Sequence, residues 1–157
     1  MAKHIFRITS ALLALALLLP LASLAKSDKP VIAVFHFETA GASDYLGPVS
    51  AQFMMAALAY LGKYKVIEPE KIEKLLEGSG VADGEAIATE KAAEMGKKLG
   101  AMVACRGKVS KSGNKYTITV DFISTANATV IGSNSANVTG EANISKGIDR
   151  IVGLTKD

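Results

Sequence analysis

Apolar positions fall into one long amino-terminal block and then into short runs whose period changes along the chain. Residues 11–19 are an unbroken run of alanine and leucine that stops at Pro20. Lys3, His4 and Arg7 precede the run, and Ser23-Leu24-Ala25 follows it, with small residues at the positions a signal peptidase reads. A membrane-spanning helix needs roughly 20 apolar residues. The block is therefore expected to be a cleavable signal peptide over residues 1–25, with residues 26–157 forming a single domain that works outside the cytoplasm. No cysteine lies near Lys26, so neither lipid attachment nor stable membrane insertion is expected.

Residues 31–37 (VIAVFHF) are apolar at nearly every position, the pattern of a strand covered on both faces. A polar loop over 38–44 is expected next. Val49, Phe53, Ala57 and Tyr60 then recur at spacings of three and four, predicting a helix over 44–61 with Pro48 in its first turn and Gly62 as its stop. Residues 64–67 read as a short strand. Pro69 opens a helix carrying Ile72, Leu75 and Leu76 on one face, ending at Gly78. A loop over 78–84 leads to a helix over 85–99 with Ala92, Met95, Gly96 and Leu99 inward.

The last third changes period. Residues 101–109 read as a strand and 111–114 as a turn. Over 115–124, Tyr116, Ile118, Val120 and Phe122 alternate strictly with Thr117, Thr119 and Asp121. A turn at 126–128 leads to a strand over 129–138 with Val130, Gly132, Asn134, Ala136 and Val138 on one face, and Ile144, Ile148, Ile151 and Val152 mark a closing helix. The predicted class is α/β of α+β-like character. It has a mixed sheet of about five strands in the order β-α-β-α-α-β-β-β-α, with helices packed on one side.

Charge narrows the partners. The chain carries 18 basic and 15 acidic residues, and loss of Lys3 and Arg7 with the leader reduces the net charge to about +1. There is no block of like charge, which argues against nucleic acid as a partner. The acidic and basic positions at Glu68, Glu70, Lys71, Glu73, Lys74 and Glu77 read as a solvated helix face.

Candidate chemistry is sparse. Cys105 is the single cysteine and lies in an apolar run, as a buried structural thiol would. Arg106 beside it would face the opposite side of a strand. Without His4 the domain keeps one histidine, His36, inside the first strand, which excludes a histidine-pair metal site. No Walker pattern and no dinucleotide fingerprint is present. No catalytic, metal or cofactor residue is assigned, and none is expected. The polar positions at the ends of strands and helices, Glu38, Thr39, Asp44, Tyr45, Ser79 and Asp83, are the candidate partner-binding loops.

Several segments, taken in order, resemble one family of periplasmic domains. These are residues 31–38 (VIAVFHFE), Tyr45-Leu46-Gly47, residues 64–69 with 71–76, residues 96–101 (GKKLGA) and residues 107–113 (GKVSKSG). The family is shared by curli-secretion channel proteins of the CsgG type, the amino-terminal domain of TolB, and lipoprotein activators of penicillin-binding proteins of the LpoB type. The resemblance implies a non-enzymatic periplasmic module that binds another envelope protein, in secretion or in activating a cell-wall synthase. Two alternatives stay open: a homo-oligomeric subunit of an outer-membrane secretion complex, and a small-molecule binder or enzyme near His36. The chain departs from the family in having no anchoring cysteine. It also lacks a pair of strands with the sustained apolar face that a membrane-crossing hairpin needs.

Overall fold

The computed structural model describes residues 29–153; the expected signal peptide lies outside the described residues. Six strands run β1 (Val31–Val34), β2 (Glu38–Ala40), β3 (Lys65–Val66), β4 (Val103–Ser112), β5 (Lys115–Ser124) and β6 (Thr129–Thr139). The helices are α1 (Leu46–Leu61), α2 (Pro69–Ser79), α3 (Thr89–Lys98) and α4 (Ile144–Ile151), the last entered through a 3-10 turn at Glu141–Asn143. The class is the mixed α+β arrangement expected, with one strand more than the pattern gave.

The sheet order is β3-β1-β4-β5-β6, with β2 also beside β4. β1 runs parallel to both β3 and β4, pairing Ile32 with Val66 and with Val103. β4, β5 and β6 form an antiparallel meander. The expected strand over 31–37 is interrupted. After Val34 the chain leaves the ladder, and the Phe37 amide donates to the Gly47 carbonyl of α1 at 3.1 Å. It rejoins β4 as β2, pairing Glu38 with Lys108, where a polar loop was expected.

Helices cover both faces of the sheet, not one. On α4, a Cβ at Gly147 would meet Ile118 Cδ1 at 2.6 Å and Val138 Cγ1 at 3.0 Å, so α4 lies on the face of Ile118. On α3, a Cβ at Gly96 would meet Ala104 Cβ at 3.2 Å. Ala104 pairs with Ile123, five residues beyond Ile118 and therefore on the opposite face. Small residues let both helices approach closely, and Ile118 and Ile123 are each fully buried.

Helix α1 turns a different side inward from the one its spacing suggested. Leu46, Ser50, Ala51, Met54, Met55, Ala57 and Leu58 are buried, whereas Phe53 is 40% and Tyr60 85% exposed. The helix is apolar almost all round, so period alone could not choose the face. Gly62 ends it with φ +69, its amide donating to the Leu58 and Ala59 carbonyls. Helix α3 starts at Thr89 rather than 85 because residues 85–88 run outside it, with Ile87 buried. In β6 a bulge falls between the Gly132–Phe122 and Val130–Ile123 pairs, so Ile131 is the extra residue and Val130 leaves the face of Gly132.

Candidate functional site

Four of the six candidate residues converge at the far end of β1. Glu38 forms a parallel bridge with Gly84, and the Thr39 amide donates to the Gly84 carbonyl at 3.0 Å. The Thr39 hydroxyl donates to Asp44 Oδ1 at 3.1 Å. Gly84 has φ +74, and a Cβ there would meet Thr39 Oγ1 at 2.5 Å and Asp44 Oδ1 at 2.9 Å. Both its backbone angle and the close approach of these groups require glycine. The loops on either side of α1 and α2, distant in sequence, are thus laced together.

His36 fastens the same patch from beneath. Its side chain is 8% exposed, with Nδ1 3.0 Å from Asp83 Oδ1 and Nε2 2.8 Å from Glu73 Oε1. A carboxylate accepts and does not donate, so the two contacts are hydrogen bonds together only when each ring nitrogen carries a proton. Glu73 is a functional neighbour that the sequence reading missed. It was read as part of a solvated face, and half of it is solvated, yet it points its carboxylate at a buried ring thirty-seven positions away.

A cleft of about 450 Å³ opens beside this patch, lined by His36, Glu38, Ile87, Arg106, Lys108 and Asp121. Its charges are matched. Lys108 Nζ lies 2.8 Å from Glu38 Oε1. Arg106 donates through Nε and Nη2 to Asp121 Oδ2 at 3.2 and 3.1 Å, and through Nη1 to the Ile87 carbonyl at 2.6 Å. That last bond is what holds residues 85–88 against the sheet. Asp121 also accepts from Ser133 Oγ at 2.7 Å.

The other two candidates lie elsewhere. Ser79 Oγ donates to the Leu76 carbonyl at 2.8 Å and closes the end of α2. The Tyr45 hydroxyl donates to Glu141 Oε1, and Tyr116 reaches the other oxygen of that carboxylate at 3.4 Å. The Glu141 carboxylate holds the Tyr45 phenol above its ordinary pKa, chiefly by accepting its proton in that bond. Cys105 is fully buried on the face away from Arg106, and burial pushes its thiol far up, with a smaller push from Asp121. It is inert in this state. Among the described residues no group of His, Cys, Asp and Glu side chains converges to hold a metal ion, and no helix is long and apolar enough to cross a membrane.

No protein-family model matches the chain, and comparison with curated proteins gives no match. Solved structures do match in shape. The LpoB C-terminal domain from Salmonella enterica superposes with a TM-score of 0.57 at 16% identity, covering 71% of this chain and 84% of that one. Lipoprotein GNA1162 from Neisseria meningitidis gives 0.54 at 13% identity, over 80% of this chain and 96% of that one. The PelC dodecamer from Paraburkholderia phytofirmans gives 0.54 at 13% identity, over 80% and 87%. At these identities the likeness speaks for architecture, and the chain has an LpoB-like fold.

Proposed function

We propose that this chain is a non-enzymatic, periplasmic protein-binding module serving envelope assembly, and that it docks its partner through the patch around Glu38, Thr39, Asp44 and Asp83. The observation that carries this reading is the lacing of two remote loops into one surface, with a cleft whose charges are paired. Catalysis of acyl or phosphoryl transfer asks for a nucleophile or a general base free to act on a substrate. Here the thiol is buried away from the cleft and the imidazole is engaged on both sides. What the patch offers instead is shape and half-exposed carboxylates, with Glu73 48% and Asp83 59% exposed, suited to donors on a protein surface.

The LpoB-like fold supports the envelope setting. Of the two jobs implied by the sequence resemblance, secretion accessory and synthase activator, it favours the activator. The test is cross-linked capture from the native envelope with tagged protein, read by mass spectrometry, for the native chain and for Asp83→Lys. Recovery of a cell-wall synthase with the native chain, lost in the variant, is the expected result. Equal recovery by both would remove the patch, and recovery of a secretion component would redirect the pathway.

A further inference from the structure

Strand β6 is an edge of the sheet, eleven residues long, and contains neither a charged residue nor proline. Native edges are usually guarded by one or the other. Its outward groups can be assigned from register. The Gly140 amide donates to the Asn114 carbonyl at 2.8 Å, which makes Lys115 and Thr139 a pair without mutual hydrogen bonds. Thr139 therefore turns its backbone groups away from β5, and by the period of two so do Asn137, Ser135 and Ser133. The Thr139 carbonyl accepts from Asn143 Nδ2 and the Asn137 carbonyl from Arg150 Nη2, each at 2.8 Å. Among the described residues nothing caps the amides and carbonyls of Ser133 and Ser135. The edge is closed at one end and open in the middle.

The sequence of the open edge is nearly its own mirror. Reading outward from Asn134, the strand places Ser133 against Ser135, Gly132 against Ala136, Val130 against Val138 and Thr129 against Thr139; only Ile131 against Asn137 breaks the match. We propose that β6 pairs antiparallel with β6 of a second copy of this chain, about a two-fold axis through Asn134. Ser133 of each copy then exchanges both backbone hydrogen bonds with Ser135 of the other, giving four bonds around the axis. The two Asn134 residues face each other as a pair without backbone bonds, their amide side chains free to bond across the axis. No like charges meet. Helix α4, which sits over Ala136 and Val138, lies diagonally across the axis from its copy and opposite the small residue Gly132. An isologous contact of this kind closes on itself, joining two sheets into one without leaving a further β6 edge.

The test uses protein purified from the cells that make it and is independent of any envelope partner. Asn134→Cys and Thr129→Cys are compared under mild oxidation by non-reducing electrophoresis. Across the axis the two Asn134 Cα atoms stand about 4.5 Å apart, within disulfide reach, whereas the two Thr129 positions are roughly 30 Å apart. The expected result is a cross-linked dimer from Asn134→Cys in roughly tenfold excess over Thr129→Cys. Sedimentation velocity should show a concentration-dependent dimer for the native chain. Asn134→Lys, which sets two ammonium groups side by side at an exposed position, should be monomeric with unchanged circular dichroism. Equal cross-linking of the two cysteine variants, or a dimer that survives Asn134→Lys, would overturn the proposal.

Discussion

The ring of Phe37 occupies the space in which Gly107 would carry a side chain: a Cβ built there stands 2.5 Å from the ring's Cζ. Phe37 is fully buried and sits where the chain passes from β1 to β2, so the ring lies flat on the bare backbone of β4. Gly107→Ala should force that ring out of place. The expected cost is about 1–3 kcal/mol, typical of overpacking, read as a lower urea midpoint with unchanged slope. An unaltered midpoint would show that the ring shifts freely.

His36 joins β1 to α2 and to the loop before Gly84 through two carboxylates. His36→Ala removes a partner from each and opens a void beneath the patch. Hydrogen exchange at residues 80–86 should accelerate at least several-fold, while protection in β5 should hold. His36→Gln, which keeps one donor, should restore part of it. If exchange in the loop stayed as in the native chain, the histidine would be a passenger.

Arg106 bonds the Ile87 carbonyl with one nitrogen and Asp121 with two others. A lysine has no planar fork and cannot serve both at once. Arg106→Lys is expected to free residues 85–88 from the sheet, seen as new proteolytic nicking there, and to cost about 1–3 kcal/mol for the partners left unmatched. Resistance to nicking equal to that of the native chain would contradict this role.

Burial raises the Cys105 thiol far above its ordinary range. The native protein should therefore resist iodoacetamide at mildly alkaline pH and become fully alkylated only in denaturant. Rapid native labelling would mean that the sheet opens at β4.

The Tyr45 phenol is held above its ordinary pKa by Glu141. Replacing Glu141 with Gln removes the negative charge that opposes ionisation, so the phenol should titrate lower. Ultraviolet titration of Glu141→Gln against the native chain, with Tyr45→Phe to identify the signal among four tyrosines, checks the direction.

Strands with clean alternation were legible from residues alone: β5 spans Lys115–Ser124, as its pattern of two predicted. The hairpin before it was placed, although β4 runs on to Ser112 and shortens the turn. Legibility failed where a distant partner decides. The apolar stretch 31–37 reads as one strand, and only the carbonyl of Gly47, on another element, draws Phe37 out of the ladder. The face of α1 was misplaced because a helix apolar all round has no unique stripe. Of the candidate residues, Glu38, Thr39, Asp44 and Asp83 proved to be neighbours, while Tyr45 and Ser79 serve local contacts. Glu73 escaped notice because a carboxylate on a charged helix looks the same whether or not its oxygen meets a buried ring.

The position of β1 bears on how the chain reaches this state. It is the first of the described strands, yet it lies between β3 and β4, bonded on both sides. Hairpins such as β4–β5–β6 close within microseconds from neighbouring residues, but Ile32 meets Val103 only across a long loop. Synthesis proceeds from the amino terminus, so the most apolar strand is made first and waits, unpaired and prone to stick, until β4 exists to receive it. Weakening β1 with Ile32→Ala should then mainly speed unfolding and leave the folding rate little changed, as expected for a strand that docks after the transition state.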